Sequence, residues 1–177
     1  MGFDSAALAK RGFDVRCYEV SGPCLEFARR LFALNQLDVA IETQESRFSP
    51  QAFDAIVCLD VLEHLPDPPA AVVKFANWLA PLGVLVAHAP FYPVDATRPT
   101  HLRSNRRYSG VIEGLYGQAG FRPIKSAGPI LNPLVLQKRS ENSAQIGLGP
   151  RIQLRLAQMA VWLAKYWITL RLSYKVA

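Results

Sequence analysis

The feature that most constrains the fold of this chain is an almost uninterrupted apolar run, FDAIVCL, over Phe53–Leu59. Such runs are typical of strands covered on both faces of a parallel sheet, because strands with one face in water alternate apolar and polar residues. A second apolar run, over residues 82–89, follows a helical pattern that begins after Pro69. Strands and helices that alternate with short turns predict a doubly wound, mostly parallel α/β sheet, with residues 53–59 in its interior.

The same alternation extends upstream, where Asp4 is placed to cap a first helix and Gly12 to end it. The predicted elements are, in order, a helix over residues 5–11, a strand over 13–19, a helix over 23–35, a strand over 39–42 and a loop over 43–51. The strand over 13–19 ends on an acid, Glu19. This part of the chain therefore predicts two further strand and helix units of the same sheet.

Downstream, the pattern predicts one longer helix and two more strands. These elements are a helix over residues 105–118, ended by Gly120, and strands over 121–126 and 133–138. The two strands are close in sequence, so we expect them to pair antiparallel. We expect one domain over residues 1–138, a Ser-, Gly- and Asn-rich linker over 139–150 and a basic amphipathic helix over 151–177.

The charge is distributed unevenly along the chain. Residues 1–90 contain seven Lys/Arg and eleven Asp/Glu, whereas residues 91–177 contain thirteen Lys/Arg and three Asp/Glu. A basic half favours an anionic partner, and the alternative is a basic face that contacts only water.

The C-terminal segment, residues 151–177, contains Trp162, Tyr166 and Trp167 and no acid. Its apolar stretch is interrupted by Lys165 and is shorter than the roughly 20 residues that a membrane-spanning helix needs. The pattern favours a helix that lies on an anionic membrane surface, or one that packs on the domain or on a second copy of the chain. We expect a cytoplasmic protein, and the membrane alternative would place it at the inner face of a membrane as a peripheral protein. We do not expect nucleic acid as a partner.

The three cysteines, Cys17, Cys24 and Cys58, are odd in number and lack the spacing of metal ligands. Two of them lie in apolar runs that should be strands. We expect buried, reduced thiols and no metal site.

The segment FDAIVCLDVLEHLPDP, residues 53–68, resembles the fourth strand and following loop of class I S-adenosylmethionine-dependent methyltransferases, especially the small-molecule branch that includes ubiquinone-biosynthesis O-methyltransferases. FDSAALAKRGFDVRCYEVSGPCLEFARR upstream and NWLAPLGVLVAHAP downstream extend the resemblance over residues 2–138. It implies a Rossmann-like sheet, S-adenosylmethionine as cofactor, and methyl transfer to a small-molecule or lipid-like acceptor, with an oxygen acceptor favoured. A nicotinamide-binding Rossmann unit would also have an acid like Glu19 but has no counterpart of the VLEH segment.

The resemblance also places the cofactor. Glu19 matches the acid that ends the second strand and accepts hydrogen bonds from both ribose hydroxyls, a role that suits an acceptor-only carboxylate. Val20 follows it in the same site. Either Glu42 or Gln44 would lie beside the adenine. Leu59 and Asp60 border the methionine part, at the strand ends where open α/β sheets bind ligands.

Two histidines are candidates for a base that removes a proton from a hydroxyl acceptor. His64 follows the fourth strand, and its alternative role is to anchor the loop. His101 lies in a basic segment where relatives of this family have substrate-facing loops, and its alternative is a solvated loop histidine. We expect His88, within an apolar strand, to be structural. The arginines of the basic segment would recognise an anionic substrate group or face water; they are Arg103, Arg106 and Arg107.

The chain departs from the family pattern at its beginning. Members of the family have a first strand and a turn of the form acid-x-Gly-x-Gly-x-Gly, and only Gly2 matches the last of those glycines. We therefore expect an N-terminally truncated form of a longer methyltransferase that lacks its first strand, is marginally stable and does not bind S-adenosylmethionine tightly. The alternative is a noncatalytic remnant, or an interaction module that keeps the methyltransferase scaffold without binding the cofactor.

Overall fold

The computed structural model describes residues 2–20, 22–91, 99–109, 111–125 and 133–140, and it confirms the α/β class. The helices and strands are α1 Phe3–Ala9, β1 Arg16–Tyr18, α2 Pro23–Leu34, β2 Ala40–Glu42, β3 Phe53–Leu59, α3 Pro68–Trp78, β4 Leu79–His88, α4 Ile112–Gln118, β5 Phe121–Lys125 and β6 Leu134–Lys138. Residues 1–49 and 50–177 form two compact units, which we call unit 1 and unit 2.

In unit 1, β1 and β2 form a parallel pair in which Tyr18 is the register partner of Glu42. Helices α1 and α2 cover this pair, and the buried core consists of Ala6, Cys17, Ala28 and Phe32. Helix α2 begins with Pro23 at its first position, where the missing N–H costs no helical hydrogen bond, so the predicted helix over 23–35 is confirmed to within one residue.

Gly2 is the residue before α1 and has a φ of 81°. A Cβ at this position would lie 3.1 Å from Ala28 Cβ and 3.1 Å from Phe32 Cζ, so both the backbone conformation and the close approach to α2 require glycine. The predicted helix start at residue 5 was wrong, because α1 begins at Phe3 with Gly2 rather than Asp4 as its cap.

In unit 2, four strands form one sheet in the order β3-β4-β6-β5. Strands β3 and β4 are parallel, and β4 and β6 are antiparallel. Strands β5 and β6 are also antiparallel, as the short connection between them predicted. A cluster of buried side chains packs on this sheet and against α3 and α4; it contains Cys58, Leu62, Val72, Leu79, Leu85, Ala87, Phe91, Tyr116, Phe121 and Leu136.

The expectation that β3 lies inside the sheet was wrong for the described residues. Strand β3 is at the edge of the unit 2 sheet and is paired there only with β4. Consequently Asp54, Ala55 and Val57 are exposed although the run is apolar. The apolar run correctly predicted a strand. A strand is buried inside a sheet, however, only when another strand lies on each side of it.

The predicted helix over 105–118 was wrong in its first half. A 3-10 helix spans Arg103–Tyr108, and α4 begins only at Ile112. Ser109 and Gly110, between the two, have low helix propensity. The predicted helix over 151–177, most of the linker over 139–150 and Ser126 lie outside the described residues. Within those residues, no helix has both the length and the apolar character needed to cross a membrane.

The thiols differ in their environments, and one expectation about them was wrong. Cys17 and Cys58 are buried as expected, whereas Cys24, in the first turn of α2, is exposed. Burial, together with the nearby carboxylates of Glu63 and Asp60, raises the pKa of the Cys58 thiol to about 12.

We predict that iodoacetamide at pH 8 alkylates Cys24 rapidly in the folded chain, and alkylates Cys17 and Cys58 only after unfolding, because the thiolate is the reactive form and must be accessible. Intact mass spectrometry over time should show one addition before denaturant and three after it. Cys24→Ser is the control and should abolish the fast addition. Rapid alkylation of Cys58 in the folded chain would contradict the packing around β3.

Candidate functional site at the strand ends

In unit 1, the carboxyl ends of the two parallel strands bring two of the sequence-predicted acids together. The backbone N–H of Glu19 donates to the carbonyl of Glu42 at 3.0 Å, which fixes the chain just beyond β1 against the end of β2. Both side chains are partly buried, and Val20 is exposed beside them. The strand-end placement predicted for Glu19 and Glu42 is therefore present, whereas their contacts with a cofactor stay predictions.

In unit 2, Asp60 directly follows β3 and has a φ of 54°. Non-glycine residues seldom adopt this left-handed conformation, and such strain is concentrated at functional sites. Two contacts with His88, at the end of the neighbouring strand, hold Asp60 in place. The Asp60 N–H donates to the His88 carbonyl at 2.9 Å, and His88 Nδ1 lies 2.7 Å from Asp60 Oδ1.

A buried carboxylate follows three residues later. Glu63 lies in the 3-10 helix Leu62–His64 and is only 1 % exposed. Its Oε1 is 3.9 Å from Nε2 of His64 and 3.9 Å from Nε2 of His101. The two imidazole rings pack edge to face with their centroids 5.0 Å apart. We call Glu63, His64 and His101 the Glu-His-His cluster.

The carboxylate of Glu63 is electrostatically costly where it lies. Among the described residues, neither of its oxygens has a hydrogen-bond partner. Burial raises the pKa of the Glu63 carboxyl above its ordinary value, since desolvation penalises the charged form. Buried polar groups normally have partners, and exceptions are often found at sites that bind something.

The ring of His64 is oriented by the backbone. Its Nδ1 lies 2.9 Å from the carbonyl oxygen of Thr100. A carbonyl only accepts hydrogen bonds, so Nδ1 carries the proton, and in the neutral ring Nε2 presents its lone pair. The sequence left open whether His64 anchors the loop or acts as a base. In this geometry Nδ1 bonds to the loop backbone, and Nε2 carries the lone pair that a base needs.

Asn105 connects the loop after β3 to the segment that contains His101. Its side-chain amide is buried and donates to the carbonyls of Glu63, at 3.0 Å, and Leu65, at 2.8 Å. The N–H of Leu102 donates to the same Glu63 carbonyl at 3.2 Å. These bonds bring His101 beside His64 although 37 positions separate them in the sequence.

The arginines of this segment do not join the cluster. Arg103, Arg106 and Arg107 are all exposed, and Arg107 stacks on Tyr108 with its guanidinium carbon 4.9 Å from the ring centroid.

Sequence reasoning missed three residues of this region: Glu63, His88 and Asn105. Glu63 was detectable, because an acid within an apolar segment next to a histidine is unusual. His88 was read as structural, and its position opposite Asp60 depends on the register of β3 and β4. Nothing in the spacing of Asn105 indicated that it contacts a loop 40 residues away.

Residues 1–87 match the methyltransferase domain family. The ubiquinone biosynthesis O-methyltransferase of Idiomarina loihiensis is 41 % identical over 88 residues, which are 46 % of this chain and 35 % of that protein. Over this part the chain is similar to class I methyltransferases. It spans only about a third of the length of the curated relatives it matches.

Solved structures confirm the methyltransferase fold. A putative sarcosine dimethylglycine methyltransferase from Galdieria sulphuraria superposes with a TM-score of 0.56 at 18 % identity, over 70 % of this chain and 52 % of that one. The PH0226 protein from Pyrococcus horikoshii OT3 superposes with a TM-score of 0.61 at 14 % identity, over 78 % of this chain and 77 % of that one. The [4+2]-cyclase SpnF superposes with a TM-score of 0.56 at 18 % identity, over 70 % of this chain and 48 % of the cyclase. Because one of these proteins is named as a cyclase, the fold by itself does not define the reaction.

We predict that Asn105→Ala lowers the free energy of unfolding by about 2–3 kcal/mol, because the mutation removes two hydrogen bonds and leaves buried carbonyl oxygens with fewer donors. Urea unfolding followed by circular dichroism measures the change. Ser104→Ala, an exposed change in the same 3-10 helix, should alter stability by less than about 0.5 kcal/mol. Equal effects of the two variants would refute the role of Asn105 in holding the loop.

Proposed function

We propose that this chain takes part in S-adenosylmethionine-dependent methyl transfer to a small-molecule or lipid-like acceptor, with oxygen as the acceptor atom. The observation that carries the proposal is the group of ionisable residues after β3, where strained Asp60 is followed by the Glu-His-His cluster. Open α/β sheets bind their ligands outside the carboxyl ends of the strands. The names of the curated relatives support an oxygen acceptor.

S-adenosylmethionine would supply a methyl group already activated by the positive charge on sulfur. The residues of unit 1 fit its adenosine part in chemical type. Glu19, at a strand end, can accept from two hydroxyls at once, and Glu42 lies at the adjacent strand end. Gly2 matches the last glycine of the family turn, and the absence of a Cβ allows its backbone to approach neighbouring atoms closely. Leu59 and Asp60 take the positions that border the methionine part by the resemblance.

The remaining requirements of the reaction are approach geometry, exclusion of water and removal of the acceptor proton. Nε2 of His64 is a suitable proton acceptor, because Thr100 holds the proton of the ring on Nδ1. His101 is the second candidate, and it is 8 % exposed, so it offers a base shielded from solvent. The roles of His64 and His101 as bases stay proposals, and the two rings lie in contact with each other.

The alternative, a scaffold without chemistry, is less well supported by the cluster. A buried carboxylate without hydrogen-bond partners lowers stability, and a chain with no use for it gains by replacing it with an apolar residue. Glu63 is therefore better explained by a ligand than by packing.

We predict that Glu19→Ala weakens S-adenosylmethionine binding by about 1.5–3 kcal/mol, the range for hydrogen bonds to a charged group. Because the family pattern has a first strand and a glycine turn ahead of the position that Gly2 matches, calorimetry should compare the chain itself with a form that carries both ahead of Met1. We expect tight binding only in the longer form, and the mutation is made there.

The matched control is Asp14→Ala, which removes one exposed acid from the same unit and should leave the affinity unchanged. Equal affinity of Glu19→Ala and the parent would remove Glu19 from the site. Binding by neither form would instead favour the noncatalytic alternative.

A further inference from the structure

His88 and Asp60 form a hydrogen-bonded pair at the carboxyl ends of two neighbouring parallel strands. His88 is the last residue of β4, and its register partner in β3 is Leu59, the residue before Asp60. His88 Nδ1 lies 2.7 Å from Asp60 Oδ1, and the Asp60 N–H donates to the His88 carbonyl at 2.9 Å. The two residues are thus joined through both side chains and backbone, and we call them the Asp60–His88 pair.

The contact with Asp60 determines which nitrogen of the His88 ring carries the proton. An ionised carboxylate only accepts hydrogen bonds, so Nδ1 donates to Asp60, and Nε2 of the neutral ring presents a lone pair. The His88 side chain is 28 % exposed, so a ligand at the strand ends can reach the ring. The opposite nitrogen is therefore ready to accept a proton.

The other two histidines of the chain have different partners. His64 Nδ1 bonds to the carbonyl of Thr100, which is uncharged. Glu63 Oε1 lies 3.9 Å from Nε2 of both His64 and His101, which is beyond the hydrogen-bond range of about 3.2 Å. His88 is the histidine for which the structure shows a hydrogen bond to a carboxylate.

A carboxylate on Nδ1 changes what the opposite nitrogen can do. It fixes the tautomer and the orientation of the ring, and it stabilises the positive charge that the ring acquires when Nε2 takes a proton; serine hydrolases use an Asp–His pair in this way. A backbone carbonyl also fixes the tautomer but carries no full negative charge, and charge-assisted hydrogen bonds are roughly twice as strong as neutral ones. His88 is consequently better supported as a proton acceptor than His64.

The Asp60–His88 pair also lies where a ligand of this sheet would bind. Open α/β sheets bind ligands outside the carboxyl ends of their strands, and both residues are at such ends. By the family resemblance, Leu59 and Asp60 border the methionine part of the cofactor, so His88, bonded to Asp60, belongs to the same part of the site. The left-handed backbone of Asp60 is the kind of strain that is concentrated at functional sites.

We propose that His88 is the base that removes the proton from the acceptor hydroxyl, and that Asp60 orients its ring and balances its charge. This assignment rests on the proposed function and gives His88 the role for which the sequence indicated His64 or His101. The acceptor O–H bond breaks as its proton moves to Nε2, and the oxygen forms a bond to the methyl carbon with the freed electron pair. The electrons of the carbon–sulfur bond go to sulfur. The products are a methyl ether, a neutral thioether and an imidazolium beside the Asp60 carboxylate.

The first test examines the pair in the full chain, without cofactor or acceptor. Nitrogen NMR of the chain with isotope-labelled histidine distinguishes the Nδ1–H from the Nε2–H tautomer, and His88→Gln assigns the signals. We expect His88 as Nδ1–H, and we expect Asp60→Asn to shift it to Nε2–H, because an amide can donate to Nδ1. Asparagine tolerates the left-handed backbone at residue 60, so this variant should fold. An Nε2–H tautomer of His88 in the parent would overturn the proposal.

The second test separates proton removal from binding and folding. The longer form described for Glu19 is assayed, at saturating cofactor, for methylation of catechol, whose hydroxyl is protonated near neutral pH, and of nitrocatechol, whose hydroxyl is largely ionised there and needs no base. His88→Gln should lower kcat for catechol by at least about 100-fold, the lower end of what a general base contributes. It should leave kcat for nitrocatechol close to that of the parent, which a merely structural role would not do.

The matched control is Asp54→Asn, which removes an exposed carboxylate from β3 outside the pair and should keep the parent rates with both phenols. An equal loss with both phenols in His88→Gln would make His88 a structural residue and overturn the proposal. A loss confined to catechol in His64→Gln or His101→Gln, and absent in His88→Gln, would also overturn it and leave the proposed function standing. Methylation of neither phenol by the parent would refute the proposed function for phenols and the role of His88 with it, whatever the tautomer.

Discussion

The site depends on a small set of hydrogen bonds that join the loop after β3 to the segment after β4. The Asn105 amide and the Leu102 N–H both donate to the carbonyl of Glu63, while the Thr100 carbonyl accepts from His64. The bond from Asn105 to the Glu63 carbonyl is buried, where an unpaired backbone group is costly. They fix the loop from both sides, and they place the His101 ring against that of His64.

The parallel pairing of β3 and β4 provides the second constraint. Its register sets Leu59 opposite His88, so that Asp60, one residue beyond, meets the His88 side chain. The left-handed backbone at Asp60 then turns the chain into the 3-10 helix that carries Glu63. Strain at one residue, compensated by two contacts with His88, thus positions the acid and the histidine that follow.

Fold and chemistry have to be argued separately in this family. The superposition with a [4+2]-cyclase shows that one scaffold accompanies more than one kind of reaction. For this chain the strongest chemical signal is local: a desolvated carboxylate between two imidazoles. The methyl-transfer proposal rests on relatives that match less than half of the chain.

The sequence by itself determined the secondary structure where a pattern was strong. The FDAIVCL run predicted β3 to the residue, and Pro23 correctly marked the start of α2. The sequence did not predict the role of Asn105, which was assigned to a long helix. A side chain that bonds to a distant loop leaves no trace in local periodicity. The family resemblance was also visible in the sequence alone, because contiguous segments carry it.

Only the tertiary structure decided which residues meet. The alternation of strands and helices predicted the crossover from β3 to β4. The hydrogen bonds of Asn105 that bring residues 64 and 101 together have no sequence signature. The edge position of β3 did not follow from its apolar run, because such a run reports how a strand is suited to pack and not how many strands lie beside it. It agrees instead with the expectation that the first strand of the family pattern is lacking. The local sequence determines which secondary structure each segment favours. The pairing of segments far apart in the sequence determines which residues are buried and which meet.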